Sequence, residues 1–322
     1  MPISVYHRLE TAYEALRHYE IKPTLVTFLQ HSENVTFRVD CPDTTFLLRL
    51  HQPRAASFDQ QGLDSQVVNS EMLWLEALRQ EHLPVPAPIR NKAGRYVSQA
   101  AGVNATLLAW QAGNLMTREM ESEETAAQIG ELVGKIHAHA QRWQIPAGFS
   151  RPQRDAAYFQ NALRSLQPAI QDGRISYSDY QAFDTSLKLL EEEIHRLPPT
   201  LPTWGLLHGD LHRGNFLFHE GQVRLIDFSM CGFGHFAYDL ATCLSNVRTI
   251  FHPIFIEQYT KFVPLPPGYE RLLEGYFLAS YIATFSLWIS DTKSQETLIQ
   301  RVAYIAREYA LRFNQDKRFW FS

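Results

Sequence analysis

Three side chains late in the chain carry the chemistry the sequence offers: Asp210, Asn215 and Asp227. They belong to the stretches His208-Gly209-Asp210-Leu211-His212-Arg213-Gly214-Asn215 and Ile226-Asp227-Phe228. Three oxygen donors without a matching cation suit a hard ion such as magnesium, which takes one or two carboxylates and completes its shell with phosphate oxygens. The reaction such a set serves is phosphoryl transfer, where positioning and charge neutralisation do most of the work.

The elements that position them can be read locally. Apolar runs at Phe216–Phe218 and Val223–Ile226 flank the polar turn His219-Glu220-Gly221-Gln222, a tight β-hairpin. Asp210, Asn215 and Asp227 fall at its open end, where they can converge. Kinases use this order: an Asp that takes the hydroxyl proton, an Asn five residues on, and a second Asp after a strand. Taken singly, an Asp-x-x-x-x-Asn is a turn or helix cap. His208, Asp210 and His212 also make His-x-Asp-x-His, a spacing open to a zinc hydrolase, with His219, His235 and His252 as further ligand candidates.

Composition sets the frame. The chain has 322 residues, 45% hydrophobic and 20% charged, with a net charge of −4. That describes a globular protein with room for two lobes and no basic region for nucleic acid or an anionic membrane. No signal peptide is visible at Met1–Glu10. The longest apolar stretch, Tyr276–Ile289, is too short to span a bilayer. Cys41, Cys231 and Cys243 form no Cys-x-x-Cys pair and point to reduced thiols and a cytoplasmic setting.

In chain order, residues 4–19 read as a helix, and Leu25–Leu29, Val35–Val39 and Thr45–His51 as antiparallel strands. Alternation puts Leu47 and Arg49 on one face of the third strand and Phe46, Leu48 and Leu50 on the other. A helix follows over Ser65–Gln80 and carries Glu71. Ile89-Arg90 and Arg95–Gln99 read as a hairpin around Asn91–Gly94, and Asn104–Trp110 as a strand. Helices are expected from Glu121, over Asp155–Gln167 and Ser176–His195, and again over Phe251–Phe262, Tyr269–Ser290 and Ser294–Asn314. His137 reads as a core histidine and Asp239 as a helix N-cap.

His208-Gly-Asp-Leu-His-Arg-Gly-Asn215, Ile226-Asp-Phe228, Gly232-Phe-Gly234 and Asp239-Leu-Ala241 together resemble the aminoglycoside phosphotransferase family, which includes choline and homoserine kinases. The resemblance covers roughly residues 25–245. It implies a two-lobed α+β protein-kinase-like fold: a nucleotide-binding lobe over 1–108 and a mainly helical lobe for catalysis and acceptor binding over 109–322. It implies ATP and Mg2+ as cofactors, Asp210 as the catalytic base, and Asn215 and Asp227 as metal ligands. The acceptor would be a small molecule's hydroxyl, on an aminoglycoside, amino alcohol, sugar or homoserine-like compound.

On the nucleotide side the resemblance assigns Ser32 and Asn34 to a phosphate loop, although the turn there holds no glycine and by itself is a plain β-turn. Leu47 would face the adenine, Arg49 would reach the phosphates and pair with Glu71, and the backbone of Ala109, Trp110 and Gln111 would bond the base. Asp239 would brace the catalytic loop from beneath. His208 and His212 are expected to order that loop. A protein kinase of the same family, the zinc hydrolase, and a non-catalytic nucleotide-binding scaffold stand as alternatives.

Overall fold

The computed structural model describes residues 5–31, 34–52, 64–198, 201–289 and 295–320. They form two compact units: one from Met1–Leu115, Trp143–Arg151 and Asn215–Ser229, the other from Met116–Arg142, Pro152–Gly214 and Met230–Ser322. The first unit opens with α1 (Val5–Leu16), β1 (Leu25–His31), β2 (Val35–Asp40), β3 (Thr45–Leu50), α2 (Ser65–Gln80), β4 (Pro88–Ile89), β5 (Ser98–Ala100), β6 (Val103–Ala109) and β7 (Asn114–Leu115). The second unit begins with α3 (Glu123–Arg142), β8 (Gln153–Arg154), α4 (Ala156–Arg164), α5 (Gln167–Gln171), α6 (Tyr177–His195) and β9 (Trp204–Leu207). The chain rejoins the first unit for β10 (Phe216–His219) and β11 (Gln222–Leu225). It ends in the second with β12 (Gly232–His235), α7 (Phe236–Leu244), α8 (His252–Thr260), α9 (Tyr269–Trp288), α10 (Gln295–Ile305) and α11 (Leu311–Asn314).

In the first unit the sheet order is β1-β2-β3-β6-β4, with β5 also on β6, and every pairing is antiparallel. Period-two alternation builds its core: Val35, Phe37, Val39, Phe46, Leu48, Leu50, Ala105 and Leu107 pack under Ala12, Ala15, Leu16 and Tyr19. A one-residue slip of β3 would take Phe46, Leu48 and Leu50 out of this core and onto the face of Leu47 and Arg49. At about 1.5–3 kcal/mol for each large apolar side chain, that fixes the register and so the opposite face for Leu47 and Arg49. The helix Ser65–Gln80 has the bounds read from its pattern, capped by Asp64, whose carboxylate accepts the Gln66 N–H at 2.7 Å.

One expected hairpin does not form. No strand ladder extends from the turn at Asn91–Gly94, which is closed by the Asn91 N–H to Arg95 O at 2.7 Å; β4 and β5 both pair with β6. The Asn91 side chain closes the turn as well, its Oδ1 accepting the N–H groups of Ala93 and Arg95, each at 3.0 Å. The hairpin β10–β11 is present, joined by Glu220 and Gly221 at φ +49° and +77°, the left-handed pair a two-residue turn requires.

In the second unit β12 pairs antiparallel with β9 and parallel with β8. The helix read over Asp155–Gln167 stops at Arg164, and the last helix is interrupted by a π-helical turn at Ala306–Ala310. Ser122 and Thr125 cap α3 reciprocally, each hydroxyl accepting the other's backbone N–H. Among the described residues no helix is long and apolar enough to cross a membrane, and all three cysteines are free thiols.

Candidate active site

In the first unit Arg49 on β3 meets Glu71 on α2, Nη1 to Oε1 at 2.7 Å, with both side chains sealed from solvent. The same Nη1 lies 4.0 Å from Asp227 Oδ1. Burying an ion pair is costly unless its geometry is good, so a guanidinium held by one carboxylate and aimed at another is an arrangement built for a use. Asp227 lies two residues past the end of β11 and stands at φ +61°. For a residue with a Cβ that left-handed conformation costs about 1–2 kcal/mol, and such strain gathers at functional positions. Its side chain is half-exposed, and its Oδ1 accepts the Ser229 N–H at 3.3 Å.

Arg151, which the sequence did not single out, secures the turn after Asp227. Its guanidinium donates to Ser229 O at 2.5 Å and to Val67 O of α2 at 3.2 Å. Phe228 packs edge-on against Trp74 of the same helix, ring centroids 5.5 Å apart. Asn215 is buried at the same open end of the hairpin, where its carbonyl accepts the Ile226 N–H at 2.9 Å. The open end of the hairpin therefore does bring Asn215 and Asp227 together.

The nucleotide-side assignments divide. Leu47 is half-buried on the same face as Arg49, in register with Leu108. The Ala109 N–H is spent on Ala87 O and the Trp110 N–H on Thr45 O, at 2.8 and 3.1 Å. Gln111 follows the strand, and among the described residues its N–H makes no such bond, so a base could use that donor and neighbouring carbonyls. The Trp110 ring is covered by the Arg38 guanidinium at 5.0 Å. Asn34 sits half-buried at the start of β2, while Ser32 lies outside the described residues.

In the second unit β9 delivers the chain to Asp210. Asp239, fully buried, holds the turn before it: its carboxylate accepts the N–H groups of His208 at 2.7 Å and Gly209 at 2.8 Å. His137 Nε2 completes the set at 3.2 Å, while its Nδ1 meets the Tyr259 hydroxyl at 3.1 Å and its ring stacks on Phe236. Burial pushes the Asp239 carboxyl up, but the His137 bond and charge, with His208 and the Gly209 amide, outweigh it and hold the group below the usual carboxylate range. The N-cap expectation for Asp239 is corrected: α7 starts at Phe236 behind His235, and Asp239 lies inside its first turn. Its bracing role stands. Gly209, at φ +82°, must lack a Cβ, which would come within 2.3 Å of Met230 O.

Asp210 itself is half-exposed, its N–H donating to His208 Nδ1 at 3.2 Å, with His212 Nε2 3.2 Å from its Oδ2. Arg213 is anchored to buried Glu121 and to Asn246 O, and Glu121 also binds Arg248. The loop is thus ordered by His208, His212 and Arg213. The His-x-Asp-x-His spacing makes no metal centre: among the described residues no group of three or more His, Cys, Asp or Glu side chains is arranged to hold an ion. His208 is buried, with its Nδ1 committed to the backbone. Asn215 and Asp227 fit a divalent ion differently, as two hard oxygen donors that leave most of the shell to phosphate oxygens and water.

The sequence profile of the phosphotransferase enzyme family matches residues 24–274. The amicoumacin kinase of Bacillus subtilis (strain 168) is 25% identical over 265 residues, 78% of this chain and 70% of its own length. Among solved structures, a microcompartment-associated aminopropanol kinase superposes with a TM-score of 0.75 at 23% identity, covering 96% of this chain and 98% of that one. The amicoumacin kinase hAmiN, solved with AMP-PNP, Ca2+ and Ami, also reaches 0.75, at 18% identity over 98% and 95% of the two chains. Those likenesses bear out the two-lobed α+β, protein-kinase-like fold. With a profile match across most of its length, the chain belongs to the phosphotransferase enzyme family and acts on a hydroxyl group.

Proposed function

We propose that the protein moves the γ-phosphoryl group of ATP, bound with Mg2+, to the hydroxyl of a small amino alcohol. The observation that carries this reading is the Arg49–Glu71–Asp227 set, in which a buried guanidinium is held at 2.7 Å by one carboxylate and reaches to 4.0 Å from a strained, half-exposed second one. The AMP-PNP and Ca2+ of the hAmiN structure support the choice of cofactor, and the similar aminopropanol kinase supports an amino alcohol as acceptor.

In this reading Asn215 and Asp227 hold the ion, which when bound neutralises charge on the phosphates. Arg49 donates to phosphate oxygens, Leu47 lies against the base, and Gln111 N–H with the Ala109 and Trp110 carbonyls bonds it. Asn34 borders the phosphates. Asp210 accepts the acceptor's hydroxyl proton as its oxygen bonds to phosphorus and the bond to the ADP oxygen breaks. Residues 1–108 serve the nucleotide and 109–322 catalysis and the acceptor, a functional division that the two contact-defined units cross at the β10–β11 hairpin.

The test is a metabolite-library screen for acceptor-dependent ADP release, followed by calorimetry on two variants. Asp227→Ala should abolish turnover and weaken Mg-ATP binding; Asp210→Asn should abolish turnover with Mg-ATP affinity nearly intact. Equal loss of ATP binding in both would reject the assignment of Asp210 to the acceptor.

A further inference from the structure

His212 does more than fill the loop. Its Nδ1 takes the N–H of Gly214 at 2.9 Å. A backbone N–H can only donate, so Nδ1 there carries a lone pair, and the proton of the neutral ring sits on Nε2. That nitrogen stands 3.2 Å from Asp210 Oδ2. The backbone thus sets the tautomer, and the tautomer makes His212 a donor to the carboxylate. Gly214 leaves the space this needs: a Cβ on it would come within 2.7 Å of His212 Cε1. His208 Nδ1 meanwhile accepts the N–H of Asp210 at 3.2 Å, so one histidine holds the backbone of Asp210 and the other its side chain.

We infer that His212 is a positioning residue for phosphoryl transfer: through Nε2–H it fixes the rotamer and plane of the Asp210 carboxylate against the acceptor hydroxyl. The inference rests on the reading of Asp210 as the acceptor's base. A bond from a fixed ring restrains the rotation of a carboxylate on a half-exposed loop. Losing about an ångström of alignment at a reacting group costs on the order of a hundredfold in rate.

Two substitutions separate this role from loop structure. In His212→Asn the amide oxygen stands where Nδ1 does and keeps the Gly214 bond, but no atom reaches Asp210. In His212→Gln the amide nitrogen stands near Nε2 and restores the donor. Steady-state kinetics with the best acceptor should show kcat down about ten- to a hundredfold in His212→Asn. KM for ATP should stay within about twofold and the melting temperature should be unchanged, while His212→Gln recovers most of the rate. A wild-type kcat in His212→Asn overturns the inference. So do equal losses in the two variants, or a fall in melting temperature or ATP affinity that tracks the fall in rate. Asp210→Asn run alongside keeps the two readings apart. Turnover surviving there rejects Asp210 as the base, whereas an inactive Asp210→Asn with a fully active His212→Asn rejects only the part given to His212.

Discussion

Glu71 and Asp239 are both sealed from solvent, yet their partners differ in kind. Glu71 meets a guanidinium, and that guanidinium extends toward Asp227. Asp239 meets two backbone amides and a histidine, all of them equally buried within the second unit. The first carboxylate holds a cation that extends toward a half-exposed second carboxylate. The second has its oxygens taken up by the turn it holds. A buried carboxylate alone therefore says little about role; the difference lies in whether its partner has somewhere further to reach. Variants at the two sites should fail in different ways.

The largest effect is expected at Asp239. Asp239→Ala strands the His208 and Gly209 N–H groups and the His137 ring in a closed interior. Removing one partner from a buried, hydrogen-bonded charge costs about 3–5 kcal/mol. Urea unfolding should register that loss directly, with activity falling because the fold does. A loss below about 1 kcal/mol would mean that water or neighbours replace the carboxylate, and the clamp would not be what holds the turn.

At Arg49 the damage should be to rate. A guanidinium can serve Glu71 and the phosphates with different nitrogens, whereas an ammonium is a compact point charge. Arg49→Lys should therefore lower kcat/KM for ATP ten- to a hundredfold, about 1.4–2.7 kcal/mol of transition-state stabilisation. Arg49→Ala should cost more, and Glu71→Ala should add little once Arg49 is gone, because the pair acts as a unit. Full activity in Arg49→Ala would erase the contrast with Asp239.

What the sequence disclosed and what it withheld follow the same line. Arg49 and Glu71 were legible because strand alternation and helix spacing fix where side chains point, and the β10–β11 hairpin because its apolar runs and Glu-Gly turn are local signals. The pairing of β4 and β5 was misread, since adjacent segments suggested a hairpin while the apolar β6 offered both a better partner. Arg151 went unnoticed: its contacts with Val67 and Ser229 cross 84 and 78 residues, and nothing around it in the loop is patterned. Asp239 stands near a helix start and so read as a cap, though its amide partners are 30 and 31 residues upstream. Long-range polar contacts leave no periodic trace, and they supply most of the support beneath Asp210 and Asp227.

The smallest effect is a pH dependence of stability. His235, at the end of β12 opposite the catalytic turn, is held down to about 4 by burial. Its Nδ1 meets the Thr203 hydroxyl at 3.2 Å, and its ring lies against Trp204 and Tyr276. Asp155, Glu191 and His195 border the same cavity. A neutral buried histidine takes no proton in the fold until about pH 4, while in the unfolded chain it takes one below about 6.5. Between those values the unfolded state binds more protons, so stability is fully present above about pH 6.5 and is lost as pH falls toward 4. Burial depresses His51 of the first unit and His252 of the second in the same direction, so the whole acid limb should slope. His235→Asn isolates one share of it. Discounting for the ring's partial exposure, the wild type should lose roughly 1–2 kcal/mol more than the variant between pH 7 and pH 4.5 in urea titrations. Parallel losses in the two proteins would assign the acid sensitivity to other groups, with His51, beside Arg49 and Arg151 in the first unit, the next to replace.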